Sequence, residues 1–77
     1  MAFDFSRLRG RIVEKFGSCD RFAAAMGHSK VWLSSRLNNV VQWRAEEMRE
    51  AAALLEIPAE DIPAYFLTPK VPLSGTR

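Results

Sequence analysis

Cys19-Asp20-Arg21-Phe22-Ala23-Ala24-Ala25-Met26-Gly27-His28-Ser29-Lys30-Val31-Trp32-Leu33-Ser34-Ser35-Arg36-Leu37-Asn38 is the stretch that decides the fold. It contains two short helix-forming segments with only Gly27 and His28 between them. Ser18 is a start signal for a helix over residues 19–26, with Asp20 in the first turn, where the helix dipole favours a carboxylate. Gly27 suits the left-handed stop, and Ser29 is a second N-cap for a helix over Lys30–Leu37. Phe22, Ala23, Met26, Leu33 and Leu37 fall on the inward sides, and Ala23 has to be small if the helices approach closely. So short a turn makes the two helices cross steeply rather than lie antiparallel.

On the N-terminal side, Asp4 can cap a first helix running through Phe16. Its apolar positions are Phe5, Leu8, Ile12, Val13 and Phe16, and Gly17 is a natural stop. Arg7, Arg11 and Lys15 line another face, and Gly10 costs about 1 kcal/mol relative to alanine inside a helix. On the C-terminal side, Asn38-Asn39 ends the third helix, because asparagine tolerates the left-handed conformation. Residues 40–43 form a short, rather apolar link. A fourth helix follows over Ala45–Leu55, with Met48, Ala51, Ala52 and Leu55 inward and Glu46, Glu47 and Glu50 as a solvated face. Trp43 and Met48 have the spacing of a hydrophobic staple if Arg44 is the cap. Pro58, Glu60 and Asp61 open a fifth helix reaching about Phe66. Pro69, Pro72 and Gly75 rule out another. There is no alternating strand pattern and no repeat. The expected architecture is all-α: a compact five-helix bundle containing a helix-turn-helix over residues 1–68, then a proline-containing, partly disordered tail over 69–77.

The chain has 77 residues, 26% of them charged and 48% hydrophobic, the composition of one small globular domain. It has no run of eighteen apolar residues and no secretory n-region, so a cytoplasmic protein away from membranes is expected. Residues 1–44 carry eight basic and three acidic side chains, and residues 45–77 carry three basic and six acidic ones. That asymmetry points the first half at a polyanion or an acidic partner. Cys19 and His28, the only residues of their types, sit on the order of 12 Å apart along one helix axis, too far to form a nucleophile–base pair. Metal-ligand spacings and a glycine-rich phosphate loop are both missing. The expectation is therefore no enzyme, no cofactor, no metal and no small-molecule substrate.

The outer face of the third helix presents Ser29, Lys30, Val31, Ser34 and Ser35. Hydroxyls can donate or accept, Val31 can touch a thymine methyl, and Lys30 can reach guanine acceptors or a phosphate. Such a face can enter a major groove, and it carries no acidic residue. Trp32, beside it, either packs or offers its indole N–H to a phosphate, and Trp43 staples the fourth helix.

The sequence resembles the lambda-repressor-like helix-turn-helix domains of phage repressors and Cro-type regulators, and in particular a group of short phage-encoded proteins of this length. The resemblance runs from about Phe3 to Val71. It is carried by residues 3–12, by Phe22-Ala23 with Met26-Gly27, by Leu33-Ser34 with Leu37-Asn38, and by residues 64–71. It implies a recognition helix over Lys30–Leu37, with Ser29, Lys30, Val31 and Ser35 toward base edges and Ser34 toward a base or a phosphate. It also implies backbone contacts from Cys19, Arg36, Asn38 and Asn39. Three residues depart from the pattern. Cys19 stands where a glutamine often touches phosphate, Asn39 where glycine is usual, and His28 where an aliphatic residue is usual.

The resulting expectation is a sequence-specific double-stranded DNA-binding regulator of phage type, a repressor acting by operator occlusion as a homodimer. Ile62, Tyr65, Phe66, Leu67 and Val71 would form the dimer surface or, alternatively, part of the monomer core. A rival from another class is a helical protein–protein adaptor, an antirepressor or antitoxin-like protein. A third reading is an architectural binder, salt-sensitive and blind to sequence.

Overall fold

The computed structural model describes residues 2–70. The elements in chain order are α1 (Ser6–Phe16), α2 (Cys19–Ala25), α3 (Lys30–Leu37), α4 (Ala45–Leu55), a 3-10 turn (Ala59–Asp61) and α5 (Ile62–Phe66). The protein is all-α. The fifth helix is shorter than its sequence pattern suggests, because the segment after Pro58 first winds as a 3-10 turn and becomes α-helical at Ile62. Of the expected tail, residues 71–77 lie outside the described residues.

The α2–α3 turn follows from its residues. Gly27 adopts φ 78°, the left-handed conformation that glycine takes without strain. The His28 N–H donates to Ala23 O at 2.9 Å and the Gly27 N–H to Ala24 O at 3.0 Å, which closes the end of α2 in a Schellman arrangement. The Ser29 hydroxyl then accepts from Trp32 N–H at 3.1 Å and opens α3. Ser18 does the same for α2, accepting from Arg21 N–H at 3.2 Å. Asp4 acts one residue outside its expected place. The N-cap of α1 is Phe5, and the Asp4 carboxylate accepts from Ser6 N–H and Ser6 Oγ instead.

Leu8, Ile12, Phe22, Leu33, Leu55 and Phe66 are the large side chains at the centre of the core. Val13 departs from expectation: it is 53% exposed, because the buried stripe of α1 is narrower than its apolar pattern. Trp43 is buried beneath the α3–α4 link. It meets Phe66 edge-on at 5.0 Å and Trp32 edge-on at 5.8 Å, and its indole N–H has no hydrogen-bond partner among the described residues.

The two ends of the described chain close on each other and on the end of α3. The Asp4 N–H donates to Thr68 O at 2.8 Å and the Lys70 N–H to Ala2 O at 3.1 Å. Phe3 forms an isolated antiparallel bridge with Pro69. Asn39, left-handed at φ 64°, acts as a surrogate peptide: its Oδ1 accepts from Phe3 N–H and its Nδ2 donates to Phe3 O, at 2.8 and 3.0 Å.

Candidate interaction surface on the third helix

Leu33 and Leu37 anchor α3 in the core and fix which of its side chains point outward. Few of the polar groups proposed for DNA contact are left free by the fold. The Ser29 hydroxyl is the cap of α3. Ser35 Oγ donates to Trp32 O at 2.8 Å, and the Ser35 carbonyl accepts from Val40 N–H and Val41 N–H. Ser34 Oγ accepts from Asn38 Nδ2 at 3.1 Å, while Asn38 Oδ1 accepts from Arg9 at 3.0 Å. The Asn39 amide is occupied by Phe3. Cys19 is half-buried at the start of α2 and shares a hollow with Arg9, Lys30 and Leu33.

Arg36 is the most committed of all. Its Nε and one terminal nitrogen donate to the two Glu47 carboxylate oxygens at 3.0 and 3.1 Å. The other terminal nitrogen reaches Trp32 O at 3.3 Å. The guanidinium carbon lies 4.0 Å from the Trp32 ring centroid, a cation–π stack. His28 stacks on the same indole at 3.8 Å between centroids and 4° between planes. The α4 glutamates are therefore not all solvated, as their sequence pattern suggests. The Glu47 side chain is 13% exposed, beside an Arg36 that is 11% exposed, and Glu47 Oε1 also accepts from Arg44 N–H at the start of α4. Burial pushes the Glu47 carboxyl up, but the hydrogen bonds from Arg36 and Arg44 outweigh it and hold the group below its ordinary value.

What remains outward is mostly aliphatic. Val31 is 77% exposed and Val40 75%. Together with Lys30, Ser34, Ser35 and Asn38 they line a shallow hollow of about 360 Å³. The Lys30 ammonium stands at its rim, 3.7 Å from the exposed Asp20 carboxylate. Val40 belongs to the α3–α4 link, and no local pattern joins it to the α3 face. Its placement comes from the backbone bonds that fold the link onto Ser35. Of the residues named for a dimer surface, Phe66 is core, Ile62 and Tyr65 are half-buried, and Leu67 is 42% exposed. Arg7 lies over the Tyr65 ring at 4.9 Å. Val71 lies outside the described residues.

Among the described residues no helix is long and apolar enough to cross a membrane, and no three His, Cys, Asp or Glu cluster as metal ligands. The family model that matches this chain, over residues 1–69, is described as a protein of unknown function (DUF739). The chain belongs to that family. It is also similar to a solved structure, the solution structure of the modulator of repression (MOR) of the temperate bacteriophage TP901-1 from Lactococcus lactis. The two share 43% identity with a TM-score of 0.79, over 94% of this chain and 97% of that one. No curated protein matches the chain.

Proposed function

We propose that this DUF739 chain is a phage regulator that works by binding another protein, a repressor, through the outer face of α3. This is the adaptor reading rather than operator occlusion by the chain alone. One observation carries it: Arg36 and the side chains of Ser29, Ser34, Ser35, Asn38 and Asn39 are hydrogen-bonded within the chain, which leaves Lys30 as the exposed cation of a face on which Val31 and Val40 stand out. An aliphatic face cannot replace the hydrogen bonds that water gives a phosphate, whereas two exposed valines beside a cation can be buried against an apolar protein surface. The relation to a modulator of repression supports the same direction, since a modulator of repression acts on a repressing system. A lambda-repressor-like arrangement of α2 and α3 fits this reading too, because a helix presented outward can seat against a protein as well as in a groove.

Size-exclusion chromatography with light scattering tests the proposal, run on the protein alone and mixed with the repressor of the same phage. Selection from a random duplex library runs beside it. The expected result is a mixed complex and no enriched duplex. An enriched inverted repeat retained by the protein alone would overturn the proposal in favour of an operator-binding regulator. A homodimer of the free protein would be read from the same scattering trace.

A further inference from the structure

The α3 face contains a charge that does not reach its surface. Arg36 sits on the last turn of the helix, where an unrestrained guanidinium would extend to solvent and attract phosphate. Three restraints keep it in, two from Trp32 on its own helix and one from α4. Trp32, one turn earlier on α3, lies under its plane. The Trp32 carbonyl takes one N–H. The Glu47 carboxylate on α4 takes two more in a bidentate pair. Trp32 is itself braced by His28 on the ring and by Trp43 edge-on from the core. Glu47 cannot easily turn away, because Oε1 is also fixed by the Arg44 N–H. Glu46, its chain neighbour, is exposed.

We propose that Glu47 biases what the α3 face recognises: by drawing Arg36 inward it takes one of the two cations of α3 out of reach of phosphate and tilts the face toward an apolar protein surface. This inference rests on the protein-partner reading. Without Glu47, Lys30 and Arg36 would together make α3 a basic helix in a basic half of the chain. With it, Lys30 and the valines define the face.

The test compares Glu47→Gln with Glu46→Gln, which makes the same change in net charge at an exposed neighbour. The probe is a mixed-sequence DNA duplex, followed by fluorescence anisotropy across a salt series. Glutamine keeps an oxygen for the Arg44 N–H but loses the charge that holds Arg36. Glu47→Gln is expected to bind the duplex more tightly than wild type and more tightly than Glu46→Gln. One added phosphate contact steepens the salt slope by about 0.9, so the gain should be about threefold larger at 50 mM than at 200 mM salt. Adding Arg36→Gln to Glu47→Gln should remove the gain. Equal affinities for the two glutamate variants, or a gain that survives Arg36→Gln, would overturn the proposal.

A wild-type measurement covers the case in which Glu47→Gln folds poorly. The Arg36 Nε–H resonance should be visible and should not move when the duplex is added at low salt. A shift would overturn the proposal. The two readings fail separately: tight, specific duplex binding by wild type sinks the protein-partner reading, whereas indifference of wild type with equal glutamate variants sinks the Glu47 role alone.

Discussion

α1 and α3 turn the same kind of face inward and different kinds outward. Each buries two aliphatic residues one turn apart, Leu8 and Ile12 in α1, Leu33 and Leu37 in α3. Outward, α1 uses its cations to fasten the far end of α4. Arg11 Nε donates to Leu55 O at 2.9 Å, and Lys15 pairs with Glu56 at 2.8 Å, where α4 stops in a left-handed turn. α3 withdraws Arg36 into the same α4 from the other end and leaves valine on show. The outer face of α1 serves the fold. That of α3 keeps Val31 and Lys30 exposed beside serines bonded within the chain, and it is the face to which the proposed partner contact is assigned.

The largest expected effect tests the half of this comparison in which the helices agree. Leu8→Ala and Leu33→Ala should each cost roughly 2–5 kcal/mol, the range for emptying a well-packed leucine site. A chain of this length has on the order of 4–12 kcal/mol in total, so either variant should be close to unfolding. Urea titration followed by circular dichroism reads both. A cost under about 1 kcal/mol for Leu33→Ala would mean that α3 is a loosely attached element and that its outer face is not held in place.

Next come the cations, where the helices part. Arg36→Ala leaves the half-buried Glu47 charge without its main partner and should cost roughly 2–4 kcal/mol, near the range for breaking a buried pair. Arg11→Ala removes a charged donor from the Leu55 carbonyl but leaves behind no buried charge, since its other partner, Glu14, is exposed, and about 1–2 kcal/mol is expected. The same urea titration gives the order. Equal costs would remove the distinction between a fastening cation and a sequestered one.

Acid sharpens that contrast. The folded-state value of Glu47 lies below its unfolded one, so the Arg36–Glu47 pair contributes stability in full above the ordinary glutamate range, near 4.3. That contribution fades as pH falls through the lower, folded-state value. Glu56, through its hydrogen bond from Lys15, and Asp4, through the Ser6 N–H, are lowered in the same direction but are fully exposed. Thermal melts between about pH 7 and pH 3 should therefore show a falling acid limb in wild type and a shallower one in Arg36→Ala. An unchanged limb would show that the exposed carboxylates carry it.

The fold was legible where one residue dictates one local geometry. Gly17 and Gly27 stop helices at positive φ, and Ser18 and Ser29 start them by capping. Leu33 and Leu37 could be placed by period alone. The site was legible only as an outline. Which residues lie on the outer face of α3 follows from helical spacing, but what their polar groups do depends on partners far along the chain. Asn39 answers to Phe3 across thirty-six positions, and Arg36 to Glu47 on the next helix. No local pattern distinguishes an asparagine that closes the N-terminus from one that would touch a phosphate. Nor does spacing separate Glu47 from Glu46, adjacent acids of which one is half-buried and the other exposed. Val13 departs from its pattern for a related reason: an apolar residue on the edge of a stripe is buried only if a neighbour covers it.

The smallest expected effect on stability discriminates most on function. Val13 on α1 and Val31 on α3 are both exposed, at 53% and 77%, so aspartate at either should change the unfolding free energy by less than about 0.5 kcal/mol. If the two outer faces were alike, the two variants would also bind the partner alike. Val31 faces a hollow shared with Val40 and rimmed by Lys30, so a carboxylate there would have to be desolvated inside the contact. Val31→Asp is therefore expected to weaken the complex with the repressor by more than about tenfold, a loss above 1.4 kcal/mol, while Val13→Asp leaves it unchanged. Titration calorimetry on both variants, with melts confirming that they fold, separates the faces. Equal weakening would mean that the partner surface wraps both helices, and no weakening would move the contact off α3 altogether.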